Sequence, residues 1–384
     1  MIRIFRAVTL SLIGLFSWAT VATAQTFETD ADIALIMDFD TGLIMFEKDA
    51  RKPTPPASMT KIMTAQMVFE AIASGQITED TQYTVSEDAW RRGGFSSGSS
   101  TMALEIGSEV AVMDLLRGII IQSGNDACIT VAEGLAGSEA AFAANMTARA
   151  QNMGLASANF VNATGWPDAG HEISAMDLAK LSRLQISQFP DYYALYAERD
   201  FTWNGVKQFN RNPLLGRVDG ADGIKTGYTS VSQYGLVGSA KRDGVRRIVV
   251  LNGVDSENDR RRVAAELIEA SFNTFDVMDL ASATESLDPI PVFMGVADEV
   301  SLMTRGPVHF PILKAERGSI SAKVEYTVPA APIAKGDEVA TLIVTHPSGR
   351  IDEFPLYAGD AVARKGFFAR VMTSLKHKIL GTTV

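Results

Sequence analysis

Apolar positions recur along this chain with two different periods, and the changes of period mark its elements. Residues 33–37, 234–240 and 247–252 are short apolar runs bounded by turn residues and read as strands. Residues 61–73, 114–121, 139–153 and 259–273 instead place apolar side chains at helical intervals. In the first of these, Ile62, Met63, Met67, Val68 and Ile72 follow Pro55 and Pro56, which stop any helix before Ser58. This order predicts an α+β domain, a helical cluster on an antiparallel sheet whose outer strands come from both ends of the domain. Beyond it, residues 280–291 are rich in Ser, Asp and Pro and read as a linker. Residues 299–303, 320–328, 338–345 and 351–355 then alternate with Gly, Pro and Asp turns, which predicts a small all-β domain over 292–360, a spacer or partner-binding module.

The two ends differ from the body. Residues 1–24 carry Arg3 and Arg6, an apolar stretch over 7–21 and the small-residue run Ala22-Thr23-Ala24, the form of a cleavable secretory signal with a mature start at Gln25. The apolar stretch is shorter than the ~20 residues that span a bilayer. Residues 361–384 contain five basic residues and no acidic one. The chain carries −10; the leader contributes +2 and this tail +5, which leaves −17 for residues 25–360. Phe367, Val371, Leu375 and Ile379 recur every fourth position of the tail, an apolar stripe on a basic helix suited to an anionic membrane surface. The expected location is the periplasmic face of the inner membrane, held peripherally. The single cysteine, Cys128, excludes an intrachain disulfide and reads as a small core residue.

Candidate chemistry lies in three short segments. Ser58-Met59-Thr60-Lys61 places a hydroxyl and an amine three residues apart, on one face if the segment is helical. Serine is a poor nucleophile until a base takes its proton, and Lys61 can be that base. Near a helix N-terminus, free N–H groups also favour a developing oxyanion. Ser123-Gly124-Asn125 follows an apolar, helix-like run over 110–122, its glycine admitting close approach of the backbone to a pocket. There Ser123 can relay a proton to a leaving amine, and Asn125 can bond both a peptide backbone and Lys61. Lys225-Thr226-Gly227 precedes the strand runs and is expected at a sheet edge, its cation and hydroxyl suited to a carboxylate. Gly227 leaves room for substrate beside the strand, and the N–H of Tyr228 can join that of Ser58 in an oxyanion hole. Burial and the nearby Lys225 cation are both expected to disfavour charge on Lys61.

This three-part set is the signature of penicillin-binding proteins and class A β-lactamases. With the flanking text Pro56-Ala57, Asp126-Ala127-Cys128, Phe201-Thr202-Trp203-Asn204-Gly205, Asn210-Arg211-Asn212 and Asp222-Gly223-Ile224, the chain resembles the low-molecular-mass penicillin-binding proteins, specifically the serine-type D-alanyl-D-alanine carboxypeptidases. The resemblance runs from about residue 32 to the C-terminus. It implies a penicillin-binding, transpeptidase-like domain over residues 25–279. It also implies removal of the terminal D-alanine from peptidoglycan pentapeptides through an acyl-serine, inhibition by β-lactams, and no cofactor. Arg211 matches a family arginine near the substrate carboxylate. The family often has histidine where this chain has Tyr228, and the connection from Arg211 to Lys225 is about one residue short.

Other chemistries fit less well. His171, His309, His346 and His377 show no paired ligand spacing, so no metal site is expected. No phosphate-binding glycine loop occurs, and the acidic body argues against nucleic acid. Asp168, His171 and Glu172 read as a solvated loop. A class A β-lactamase would place an asparagine four residues after its water-activating glutamate, and Glu172 is followed at that position by Met176. A non-catalytic scaffold is opposed by the intact three segments. Nothing in the sequence sets the oligomeric state.

Overall fold

The computed structural model describes residues 27–281, 287–369 and 371. The leader and most of the tail helix expected from the sequence lie outside the described residues. The chain divides into a unit over Glu28–Phe275 and a second that takes in the chain from Asp276.

In the first unit, β1 (Ile33–Asp38), β2 (Ile44–Lys48), β3 (Ala221–Thr229), β4 (Gln233–Arg242) and β5 (Val245–Val254) form one antiparallel sheet in the order β2-β1-β5-β4-β3. The N-terminal strands thus close one side of the sheet, and β3 is the opposite edge. All six residues of β1 are buried, as are the centres of β4 and β5. Such runs carry no polar alternation because helices cover both faces. Ile33, Leu35 and Met37 join the larger helical core, whereas Ala34 and Ile36 project to the other face. Arg247 of β5 and Asp38 of β1 form a buried ion pair across the two strands.

The core of the helical cluster is α1 (Lys61–Ala73). Ile62, Met63, Ala65, Val68 and Phe69 are all fully buried, so the helix is covered on nearly every side rather than along one stripe. Around it lie α2 (Asn125–Ala136), α3 (Glu139–Asn152) and α4 (Ala175–Gln188). Helix α5 (Glu257–Asn273) packs against β4 and β5. Ser138, Ser174 and Ser256 cap α3, α4 and α5 by accepting first-turn N–H groups.

The second unit is all-β. Its five-stranded sheet runs in the order Leu287–Pro291, Glu299–Met303, Ile351–Ala358, Glu338–Thr345, Ser321–Glu325, and Phe275–Ala281 pairs with Val308–Leu313. Ile290, Leu302, Phe310, Val344 and Leu356 form part of its own core. The segment read as a linker is structured at both ends. Its prolines suggested a break, but Leu287–Pro291 is an edge strand, where a missing N–H is tolerated, and Ile290 is buried opposite Val300.

Candidate active site

Ser58 lies in a 3₁₀ turn, Ala57–Thr60, that runs directly into α1. Two glycines hold this turn in place. Gly165 adopts φ +87°, and a Cβ on it would stand 1.9 Å from the Ala57 carbonyl oxygen. Gly227, on edge strand β3, would place a Cβ 2.8 Å from the Pro56 oxygen and 3.1 Å from the Ala57 Cβ. Ala57 itself sits at φ +49°, a left-handed conformation uncommon for alanine. The nucleophile turn is therefore pressed between a loop and a sheet edge at van der Waals distance.

Lys61, the first residue of α1, is 1 % exposed. Its Nζ lies 3.0 Å from Ser58 Oγ and donates to Asn125 Oδ1 at 2.7 Å and to the Thr164 carbonyl at 2.6 Å. Asn125 Nδ2 donates to Ser99 Oγ at 3.1 Å, which fixes the amide with its oxygen toward the lysine. Burial, aided by the Arg211 cation, lowers the Lys61 pKa to about 8. At pH 7 the neutral fraction rises from about 1 in 3,000 to about 1 in 10. The sequence had given Lys225 the assisting role. In the structure Arg211 supplies it, and Lys225 is itself held well below its usual pKa by burial and by Lys61. Cys128 is fully buried on α2, with its thiol pushed up to about 12, so it carries no charge that could hold a proton on Lys61.

The run over 110–122 is helical in two pieces, Val112–Arg117 and a π-helical turn Gly118–Gln122. It ends at Ser123, which takes the left-handed conformation at φ +63°. The left-handed backbone geometry thus falls on the serine, while the glycine was expected to let the backbone approach the pocket. Gly124 instead admits the Met102 backbone, since a Cβ there would meet its nitrogen at 2.9 Å. Ser123 Oγ is buried and has no hydrogen-bond partner among the described residues.

A loop that the sequence reading passed over completes this side. Asp126, fully buried at the start of α2, accepts from Met102 N at 2.8 Å, Leu104 N at 3.0 Å and Thr101 Oγ1 at 2.6 Å. The loop so held offers the Ser100 carbonyl to Asn125 N at 2.8 Å and Ser100 Oγ to Arg211 Nη1 at 2.5 Å. The only signal for it was a polar, serine-rich stretch from Ser96 to Thr101. The turn that supplies the Thr164 carbonyl is built by Asn162, whose Oδ1 accepts from Thr164 N and Gly165 N.

His171 departs from the solvated loop expected of it: the side chain is 2 % exposed. Its Nδ1 accepts from Val161 N at 3.0 Å, so Nε2 carries the proton and donates to Thr60 Oγ1 at 2.8 Å. It thereby ties the 161–171 loop to the residue beside Lys61. Burial depresses its pKa to about 4. Because the folded value lies below the unfolded one of 6.5, this contribution is complete above pH 6.5 and is lost as pH falls through 4. Acidification across that window is expected to cost about 3 kcal/mol through this side chain. Thermal melts of wild type and His171→Gln between pH 7 and pH 4 test it: the variant should show a smaller acid loss, and parallel curves would refute the assignment.

Ser58, Ser123, Arg211, Thr226, Gly227 and Tyr228 line one cleft of about 900 Å³, with Lys61, Asn125 and Lys225 buried beside it. Glu172 is not among the cleft residues. The structure therefore brings together every site residue the sequence singled out. The arrangement can activate a serine with a neutral amine and hold an anionic group between Thr226 and arginine side chains.

Comparison with known proteins agrees with this geometry. Residues 19–256 match the family model described as D-alanyl-D-alanine carboxypeptidase, and residues 275–364 match the C-terminal domain of penicillin-binding protein 5. The chain is 34% identical over 386 residues to the D-alanyl-D-alanine carboxypeptidase DacD of Salmonella typhimurium, covering 98% of each. The crystal structure of DacD from Francisella tularensis superposes with TM-score 0.80 at 28% identity, covering 91% of this chain and 100% of that one. Penicillin-binding protein 5 of Haemophilus influenzae gives TM-score 0.73 at 31% identity, with coverages of 89% and 100%. Matched over both units and over nearly its whole length, this chain belongs to the serine-type D-alanyl-D-alanine carboxypeptidases, among the low-molecular-mass penicillin-binding proteins.

Proposed function

We propose that the protein removes the terminal D-alanine from peptidoglycan pentapeptides through an acyl-enzyme on Ser58, with Lys61 as base. The bonding of Lys61 carries this reading. Asn125 Oδ1 and the Thr164 carbonyl are acceptors only, so they take both N–H groups of a neutral amine. The remaining lone pair then faces the Ser58 hydroxyl 3.0 Å away. As Oγ bonds to the D-alanyl carbonyl carbon, its proton passes to Lys61 Nζ. The N–H groups of Ser58 and Tyr228 stabilise the oxyanion. When the C–N bond breaks, the departing amine receives the proton by way of Ser123 Oγ, a buried hydroxyl that no protein group occupies. Thr226, Lys225 and Arg211 take the terminal carboxylate, and water hydrolyses the ester. Benzylpenicillin enters the same path and forms a slowly hydrolysed adduct.

Mass spectrometry after benzylpenicillin, with D-alanine release from a pentapeptide ending in D-Ala-D-Ala, tests this. A persistent adduct on Ser58 together with D-alanine release is expected. An adduct without release would reject the carboxypeptidase reading, and fast penicillin turnover without an adduct would favour a β-lactamase.

Export and attachment to the periplasmic face of the membrane are part of the same proposal. Among the described residues no helix is long and apolar enough to cross a membrane. Phe367, Phe368 and Val371 are exposed at the start of the tail, as an interfacial helix requires. The full-length protein is expected to remain on membranes through a high-salt wash, whereas a chain ending at Asp360 should be soluble. Equal partitioning of the two would refute the anchor.

A further inference from the structure

The cleft holds more positive charge than one carboxylate-ended residue requires. Besides Arg211 it is lined by Arg199, Arg217, Arg260 and Arg261. Arg260 pairs with Glu257, and Arg261 donates to Asn258. Arg199 and Arg217 form no ion pair among the described residues, although acidic residues adjoin them in sequence. Glu198 is bound to Arg117 at 3.0 Å, Asp200 to Lys207 at 3.2 Å, and Asp219 lies 3.8 Å from Arg242. In a body of net −17, this one cleft thus holds two arginines whose side chains have neither an ion pair nor a hydrogen bond among the described residues. The Arg199 guanidinium lies against the backbone next to Arg217: a Cβ on Gly216, the preceding residue, would stand 2.3 Å from Arg199 Nη2.

A second observation points the same way. Asn212 is 5 % exposed and lines this cleft. Its Oδ1 accepts from Leu214 N at 3.0 Å, but its Nδ2 has no partner among the described residues. A buried donor left open in the same cleft as two unpaired guanidinium groups calls for an acceptor-rich, anionic ligand. Arg217 lies six residues beyond Arg211 on the same loop. If Arg211 and Thr226 hold the terminal carboxylate, as the carboxypeptidase reading on which this inference rests requires, Arg199, Arg217 and Asn212 line the same cleft as the departing residue.

We propose that Arg199, Arg217 and Asn212 form an accessory anion subsite on the leaving-group side, so that a terminal D-residue with an acidic side chain is released faster than its neutral isostere. The chemistry is unchanged: the amide C–N bond breaks, the amine takes a proton, and a D-amino acid with two carboxylates departs. Three peptides identical through the penultimate D-alanine and ending in D-alanine, D-glutamate or D-glutamine test this on the full-length protein. The kcat/KM ratio of D-glutamate to D-glutamine should be about fivefold or more in favour of D-glutamate. Arg199→Glu with Arg217→Glu should bring that ratio to one or below while D-alanine release stays within about twofold. Asn212→Asp, which keeps the acceptor and removes the donor, should lower the same ratio. A wild-type ratio of one or less, or a ratio that the double substitution leaves unchanged, would overturn the subsite. Failure to release any of the three residues would overturn it together with the carboxypeptidase reading, and the D-alanine peptide tells these two failures apart.

Discussion

Lys61→Ala is expected to slow acylation of Ser58 by benzylpenicillin about a thousandfold, within the range that a positioned general base supplies. The expectation rests on three facts that act together. The amine lies 3.0 Å from the hydroxyl, both of its N–H groups have carbonyl acceptors, and burial has lowered its pKa to about 8. The same facts set a pH signature. With neutral Lys61 as the proposed base, the wild-type acylation rate should climb about tenfold from pH 7 and level off above the pKa of about 8. Lys61→Ala should lose that rise along with the rate. Folding is a separate matter: the substitution removes a costly buried amine but leaves the Thr164 carbonyl and Asn125 Oδ1 without their donor, each worth about 1–3 kcal/mol if no water replaces it. Stopped-flow acylation, with a thermal melt of the same sample, separates the two effects. A folded variant that acylates within about threefold of wild type would remove Lys61 from the role of base.

Gly165→Ala is expected to be nearly as damaging, although residue 165 forms no hydrogen bond to Ser58 or Lys61. A methyl group there would overlap the Ala57 carbonyl at 1.9 Å, and the φ of +87° is itself unfavourable for alanine. Either the 162–165 turn moves, carrying the Thr164 carbonyl away from Lys61, or the Ala57–Thr60 turn moves, carrying Ser58 away from the amine. Both displacements break contacts of 2.6 to 3.0 Å that the chemistry uses. Loss of about a hundredfold in acylation and of about 2–4 kcal/mol in stability should follow. Acylation kinetics and denaturant unfolding of the variant decide the matter. Wild-type values in both would show that the turn yields without cost and that Gly165 does not position the nucleophile.

These two predictions draw on different levels of the molecule. Lys61 was legible in the sequence because the chemistry depends on local spacing: three residues along a helical turn bring a side-chain amine to a side-chain hydroxyl whatever surrounds them. Ser123 and Asn125 were legible for a related reason, since they sit at a change of element, whereas Lys225 and Thr226, inside strand β3, were legible only as the third part of the set. Gly165 was not, because its role is to leave space beside a carbonyl more than a hundred positions earlier in the chain. Asp126 and the loop it holds escaped for the same cause: a carboxylate that accepts three loop donors looks, in sequence, like any helix-start aspartate. His171 was misread because flanking Gly and Asp residues signal a turn, and only packing decides whether a turn residue faces water or the core.

By itself the sequence singled out the proposed nucleophile and its proposed base, the order of the elements and the α+β fold followed by strands. All of these follow from periodicity and near-neighbour spacing, which need no knowledge of what the chain folds against. Tertiary structure alone decided the lowering of the Lys61 pKa, the cation that assists it, the backbone strain at Ala57 and Ser123, and the unpaired charges of Arg199 and Arg217. Those properties depend on desolvation and on which distant groups come within a few ångströms. A linear pattern contains neither.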